Sequence, residues 1–526
     1  MKIIKEKRAV VLKLRDPDRV TSVISSARLV NSKNGKVVAV PHRPDEVRVL
    51  RNLGFNVPDP MLEYYKWPGK FVPFDAQRLS ASFLTMNSRC YLLNSMGLGK
   101  TLTALWGFDY LRKAKAVNRT LIVCPLSTME RTWADEIFRT FPAYDYSVLH
   151  GTRDRRLRLL AQPADIYIIN TDGLKVIEAD LAKRDDIDLI IVDELATVRN
   201  ASTSRWKTLN VVCNKQVPRR VWGMTGAPTP NLPTDAWAQC RLICPDSPNV
   251  PKYFNKFRNQ VMRQVTQYKW IPRDNALDVV STAMQPAIRF ALDDCVDLPE
   301  QVFTTRDVPL TPEQNKMYKE MFSRLATDFA GGRISAANDA VKASKLIQIA
   351  CGTAYGENGE VTIPAQPRIE VLRELIESSE GKVIVFVPFT AVLERLKEDL
   401  EKDWEVAVIH GQTPKGERDR IFGEFQNTPR IHILIANPGT MSHGLTLTAA
   451  TTIIWFAPTQ SNDIYGQANA RVRRPGQKRA TVIAHLAGCD VERRTYEKLK
   501  NKESTQNVLL EMMEEMGERV PERVNI

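Results

Sequence analysis

The sequence contains no apolar run long enough to span a bilayer, which excludes a helical membrane protein. Its start, Met1-Lys-Ile-Ile-Lys-Glu-Lys-Arg, gathers charge too quickly to be a secretory signal. The eight cysteines are scattered, and only Cys240 and Cys244 stand close, with no second Cys/His pair beside them. Two thiols at helical spacing are more simply packed side chains than half a zinc site, so we expect reduced cysteines, no structural metal and a cytoplasmic setting. Repeats and low-complexity linkers are missing too, which excludes solenoids and tethered modules. Acidic residues are in short supply: 61 Asp and Glu face 74 Lys and Arg, a formal net charge of +13. Such an excess implies a polyanionic partner and steeply salt-dependent binding. With 43% apolar and 26% charged residues over 526 positions, the chain reads as a folded protein of about three domains.

What is present is a phosphate loop. Asn94-Ser95-Met96-Gly97-Leu98-Gly99-Lys100-Thr101 follows the apolar Cys90-Tyr-Leu-Leu93 and precedes a helix-like Leu102-Thr-Ala-Leu-Trp-Gly107. A Gly-rich turn between strand and helix lets backbone N–H groups of Met96, Gly97, Leu98 and Gly99 wrap phosphate oxygens. Lys100 then reaches the β/γ-phosphates and the Thr101 hydroxyl ligates Mg²⁺. The plain alternative, a turn without catalytic meaning, draws on Asn94 standing where the motif has its first Gly. The run Asp188-Leu-Ile-Ile-Val-Asp193-Glu194 supplies the complement: a buried parallel strand ending in two carboxylates, Asp193 for the metal and Glu194 for the attacking water. Alone, such a pair is usually a solvated helix cap. Near the far end, Gln467-Ala-Asn-Ala-Arg471-Val-Arg473-Arg474-Pro-Gly-Gln477 predicts a helix with Arg471 and Arg474 on one face, aimed at a γ-phosphate across a cleft. A solvated basic helix is the other reading.

With further segments in the same order, the chain resembles the superfamily-two helicases and translocases, and within them the Swi/Snf branch of double-stranded DNA translocases. Leu121-Ile-Val-Cys-Pro125-Leu-Ser127 with Trp133 and Glu136 resembles motif Ia, Ile168-Ile-Asn-Thr171-Asp-Gly173 the motif after it, and Met224-Thr225-Gly226-Ala-Pro-Thr-Pro-Asn231 motif III. Lys382-Val-Ile-Val-Phe386-Val-Pro388-Phe389 resembles motif IV, Asn437-Pro-Gly-Thr440-Met-Ser442-His-Gly444-Leu-Thr-Leu447 motif V, and Gln467 to Gln477 motif VI. The resemblance implies an ATP-hydrolysing motor using ATP and Mg²⁺, with Lys100, Asp193, Glu194, Gln467, Arg471 and Arg474 catalytic and Gly444 at the nucleotide. It also implies nucleic-acid contacts from Pro125, Ser127, Thr171, Thr225, Pro388, Thr440 and Ser442. A Gln upstream of the loop reads adenine in the family, and Gln77 in Phe71-Val-Pro-Phe74-Asp-Ala-Gln77 stands at a plausible distance. Two departures stand out: Ala196 replaces the usual motif II His, and Met441-Ser442 replaces a double Gly. Gly444-Leu-Thr-Leu447 resembles the annealing-helicase subgroup, which points to forked or branched duplexes.

The expected fold is α/β, two RecA-like parallel-sheet lobes in tandem. Residues 1–66 read as a small β-rich accessory module, 67–288 as the first lobe, 289–375 as hinge and helical protrusion, 376–500 as the second lobe and 501–526 as a helical tail. The function expected is movement on, or remodelling of, duplex DNA by a monomer, in a prokaryotic cytosol or a phage-infected cell and associated with the nucleoid when active. A strand-separating DNA or RNA helicase, and a scaffold that uses ATP only as a latch, are the alternatives; the intact Glu194 argues against the latch.

Overall fold

The computed structural model describes residues 1–501 apart from 33–34, 215–217, 266–269, 331–335, 357–358 and 442–445. The chain divides into two compact units: residues 1–229 with 233–295, and residues 230–232 with 296–526.

The alternating Ala9-Val-Val-Leu12 forms a strand whose Val10 and Leu12 point into the protein, as period two requires. It lies inside a four-stranded antiparallel sheet in the order Lys2–Ile4, Ala9–Leu12, Gly35–Pro41, Arg28–Ser32. The helix Pro44–Asn52 begins on a proline, whose missing N–H is no loss at a first turn, and buries Val47 and Leu50 against this sheet's core.

The rest of the first unit is built on a seven-stranded parallel sheet. Its order is Ala287–Ile288, Arg89–Leu92, Arg220–Met224, Ile187–Val192, Arg119–Cys124, Ile166–Asn170, Tyr146–Val148. Strands such as Leu-Ile-Ile-Val are apolar throughout because helices cover both faces. The chain leaves the C-terminal ends of five consecutive strands, beginning with Arg89–Leu92, into the segments carrying Lys100, Thr225, Asp193, Pro125 and Thr171. Sheet order therefore gathers what the sequence disperses, at the edge where open α/β sheets bind ligands.

The second unit has a six-stranded parallel sheet, ordered Gln301–Asp307, Thr481–Ala487, Ala450–Trp455, Lys382–Phe386, Ile433–Ala436, Val406–Ile409. The edge strand Gln301–Asp307 lies within the stretch expected to be hinge and helices; its β-favouring Val-Phe-Thr-Thr pairs along the full length of Thr481–Ala487. Helices Pro312–Ala330 and Ala336–Ala350 follow. Thr311 and Gln314 form the capping box expected there: Gln314 N–H donates to Thr311 Oγ1 (3.2 Å) and Thr311 N–H to Gln314 Oε1 (2.9 Å). The expected helical tail beyond Asn501 lies outside the described residues.

One ion pair sits in the middle of this unit's core. Arg368 and Glu492, about 1% and 0% exposed, meet at 2.6 Å, and Gly488 N–H and Phe456 O complete the network. Removing one partner strands a buried charge, whereas replacing both with apolar groups does not. Glu492→Gln is expected to lower stability to urea by about 3–5 kcal/mol, and the double change Arg368→Met/Glu492→Leu to recover most of it; a loss below about 1 kcal/mol in the single variant would contradict this assignment.

Candidate nucleotide site and family

The phosphate loop is braced from three sides. Asn94 is fully buried; its Nδ2 donates to Ser80 Oγ (2.9 Å) and its Oδ1 accepts from Phe290 N–H (3.0 Å). An amide serves both bonds because it donates at one end and accepts at the other. Gly97 (φ +88°) and Gly99 (φ +64°) take left-handed backbone that turns the chain into the helix Lys100–Lys113. A Cβ on Gly99 would stand 2.4 Å from Gln77 Nε2, and one on Gly226 2.9 Å from Met96 Cγ and 3.5 Å from Lys100 Nζ. Motif III thus packs directly on the loop, and Thr225 N–H bonds Leu92 O (3.2 Å). Lys100 Nζ donates to the carbonyls of Asn94 (2.8 Å) and Ser95 (3.3 Å). Thr101 occupies the first turn of the helix.

Two of the expected contact residues also make bonds within the protein. Both ends of the Gln77 amide bond within the protein, Oε1 with Phe74 N–H (3.0 Å) and Nε2 with Leu98 O (3.2 Å), which ties Gln77 to the phosphate loop. Thr225 is 1% exposed and its hydroxyl accepts from Ala227 N–H (3.2 Å), which holds the turn inside motif III. Ser127, by contrast, is exposed on the turn after Pro125, and Thr171 is half-buried at the start of its helix.

Asp193 is held by a residue that the motif pattern does not mark as part of the site. Its Oδ2 accepts from Trp133 Nε1–H (3.0 Å) and its Oδ1 from Glu194 N–H (3.0 Å). Trp133 is wholly buried in a single π-helical turn, Met129–Ala134, a geometry that is frequent at functional sites. Burial pushes the Asp193 carboxyl above its usual range, opposed by the Trp133 N–H, the Lys100 ammonium and the Glu194 N–H. Glu194 itself has left-handed backbone (φ +50°, ψ 54°), which costs a non-glycine residue about 1–2 kcal/mol. Such strain persists where the surroundings impose it, commonly at active sites. Ala196, where the family has His, is buried in the turn Leu195–Val198.

In the second unit, Gln467 lies on the helix Asn462–Asn469, nearly buried, with Nε2 donating to Asp463 Oδ1 (2.8 Å). Arg471 and Arg474 are not on a helix, contrary to the expectation of a shared helical face. The helix stops at Asn469, and both arginines sit on the irregular turns beyond it. Pro475 disfavours helical backbone at Arg474, Gly476 takes φ +103°, and Gln477 Nε2 bonds the carbonyls of Thr448 (3.2 Å), Ala450 (3.0 Å) and Val472 (3.4 Å), fixing the turn. Arg471 is 3% exposed. Arg474 Nε donates to Ala470 O (3.1 Å) and a terminal nitrogen to Thr446 Oγ1 (3.0 Å), and burial lowers its guanidinium to about 10. Pro388 O accepts from Asn437 Nδ2 (3.1 Å), and the Thr440 hydroxyl donates to Asn437 O (2.7 Å), tying motifs IV and V together. Ser442 and Gly444 lie outside the described residues.

The residues of the first unit fit a triphosphate: a left-handed glycine turn, a helix N-terminus behind it, and a lysine with a carboxylate on neighbouring segments. Residues 52–352 match the SNF2-related domain, and residues 367–476 match the helicase conserved C-terminal domain. The chain is 25% identical over 470 residues to the putative protein p41 of Acyrthosiphon pisum secondary endosymbiont phage 1, covering 84% of this chain and 99% of that one. The SWI/SNF-related matrix-associated actin-dependent regulator of chromatin subfamily A-like protein 1 of Xenopus laevis is 24% identical, covering 80% of this chain and 42% of its own. The DNA annealing helicase and endonuclease ZRANB3 of Bos taurus is 23% identical, with 80% and 38% covered. This chain therefore spans less than half the length of these two animal relatives and nearly all of the phage protein. With the first match alone extending over more than half of its residues, the chain belongs to the SNF2-related family of helicase-like, ATP-using enzymes.

Proposed function

We propose that the protein is an ATP-driven motor that moves along, or remodels, double-stranded or branched DNA, and that it works as a monomer. The observation that carries this is the gathering of Lys100, Asp193 and Glu194 at the ends of neighbouring strands, with Gly226 against the phosphate loop and Trp133 bonded to Asp193. Lys100 would leave its two carbonyl partners for the β/γ-phosphates, and Thr101 with Asp193 would hold Mg²⁺. The metal supplies neutralisation of the phosphate charge. Glu194 orients and polarises the attacking water, while Arg471 and Arg474 of the second unit stabilise charge on the transferring phosphoryl group. Gly226 touching the loop makes motif III the route from nucleotide state to DNA grip, a role that falls to it more heavily with Ala196 in place of His. The net charge of +13 and the annealing-helicase name of one relative favour DNA as the polyanion. We also assign residues 67–288 and 376–500 as the two motor lobes, with the hinge in residues 285–300.

Steady-state ATPase tests this reading. Duplex or forked DNA is expected to stimulate turnover more than single strands of equal nucleotide content, and the stimulation is expected to fade as salt rises, because counterion release loses its drive. Stronger stimulation by RNA or single strands would transfer the chain to the strand-separating helicases. A finer prediction concerns Trp133: Trp133→Phe removes the N–H from Asp193 and is expected to raise the Mg²⁺ requirement for half-maximal turnover by about tenfold. Lower turnover at an unchanged Mg²⁺ requirement would show that Trp133 only fills the core.

A further inference from the structure

A concavity of about 810 Å³ opens in the first unit between the N-terminal sheet and the helices Pro60–Tyr64 and Lys100–Lys113. Its cations come from separate elements: Lys7 and Arg8 from the first hairpin turn, Arg28 from a strand, Arg43 from a helix start, Lys66 and Lys113 from the helical side. Against these six the lining offers one carboxylate, Glu6. Lys113 is paired with Asp109 (2.8 Å), but among the described residues no ion pair engages Lys7, Arg8, Arg43 or Lys66.

Arg8 gives a second, independent sign. It holds left-handed backbone (φ +44°) in a tight turn closed by its N–H to Lys5 O (3.1 Å), a position that glycine or asparagine would fill without strain. The residue kept there is one whose guanidinium stands 5.4 Å from the ring centroid of Tyr64. That ring is itself locked: Tyr64 O–H meets His42 Nδ1 (2.7 Å), and His42, 2% exposed, uses Nε2 on Pro58 O (2.8 Å). Tyr65 and Tyr110 continue the aromatic wall, edge to face at 5.9 Å.

We propose that this concavity is a second nucleic-acid site, one that takes a single strand of DNA. Several cations on separate elements, free of ion pairs, suit the evenly spaced charges of a phosphodiester backbone, whereas one small anion needs only a few converging groups. Tyr64, Tyr65 and Tyr110 beside these cations give the mixed basic and aromatic lining usual in single-strand grooves. The volume, about 810 Å³, belongs to the class of small-ligand sites and suits a few nucleotides of one strand. The site goes beyond the motor reading and shares with it only the choice of DNA over other polyanions. Residues 1–66 thereby acquire a role, holding an unpaired strand of a branched substrate while the motor grips duplex.

The test uses the full chain, without nucleotide, and fluorescence anisotropy with a single-stranded oligonucleotide, a blunt duplex and a duplex bearing a single-stranded tail. The triple variant Arg8→Ala/Arg43→Ala/Lys66→Ala is expected to lose at least about tenfold in affinity for the single strand and the tailed duplex, with the salt slope reduced by about two, at roughly 0.7 per phosphate contact. Blunt-duplex affinity and duplex-stimulated ATPase should stay within about twofold, which also certifies the fold; if the triple variant does not fold, Lys66→Glu alone at its exposed position is to give the same direction. Unchanged single-strand affinity overturns the proposal. So does an equal loss for blunt duplex, which would make the groove part of the duplex path, and so does competition by polyglutamate as strong as by the oligonucleotide, which would make it a site for acidic protein. Absence of duplex-stimulated ATPase in the wild type, with single-strand binding intact, would sink the motor reading and leave this site standing.

Discussion

Glu194→Gln is expected to reduce ATP turnover by at least about a hundredfold while nucleotide affinity stays within a small factor. Loss of an oriented catalytic group costs several kcal/mol of barrier, and the amide retains the shape and the backbone of the carboxylate it replaces. The backbone strengthens the expectation. Glycine would take the left-handed φ at Glu194 with less strain, yet the position carries a carboxylate. Glu194→Gly should therefore be about 1 kcal/mol more stable in thermal or urea unfolding and just as inactive. Single-turnover hydrolysis together with equilibrium binding of a labelled nucleotide separates the two effects. A Glu194→Gln enzyme turning over at the wild-type rate would refute the assignment.

The second large effect is expected at Arg474. If its planar fork stabilises the transferring phosphoryl group, Arg474→Ala should lower turnover by about a thousandfold or more with little change in nucleotide affinity. Arg474→Lys should rescue little, because a lysine keeps the charge and loses the fork. The control is stability: Arg474 bonds Ala470 O and Thr446 Oγ1 in the folded protein, two contacts of modest net worth, so the alanine variant should unfold within about 1 kcal/mol of wild type. Arg471→Ala is expected to match it in turnover and, because Arg471 is nearly buried, to lose stability as well. An Arg474→Ala enzyme with normal turnover would reduce this segment to a basic surface.

The two parallel sheets and the phosphate loop are legible in the sequence because their signals are local: apolar strands of four to seven residues, a glycine turn, a helix behind it. The alternation at Ala9–Leu12 and the capping box at Thr311 and Gln314 are legible for the same reason. What escapes depends on contacts distant in the chain. The arginine segment has helical spacing, yet Gln477 bonds to Thr448 and Ala450, far upstream, hold it in turns. The distance of Gln77 from the loop says nothing of where its amide points; the Leu98 carbonyl decides that. Trp133 is visible as part of a motif, but its bond to Asp193 exists only because Arg119–Cys124 and Ile187–Val192 are adjacent in the sheet. The strand Gln301–Asp307 escapes because its partner, Thr481–Ala487, lies at the other end of the unit's sequence.

Hydrolysis alone does not establish movement, and the central claim is that ATP turnover drives this chain along duplex DNA. The direct measurement is displacement of a fluorescent third strand from a triplex placed within a long duplex. ATP should release the third strand in proportion to enzyme turnover, whereas a non-hydrolysable analogue, or Glu194→Gln with ATP, should leave it bound. Full duplex-stimulated ATPase with no displacement of the third strand would contradict the account.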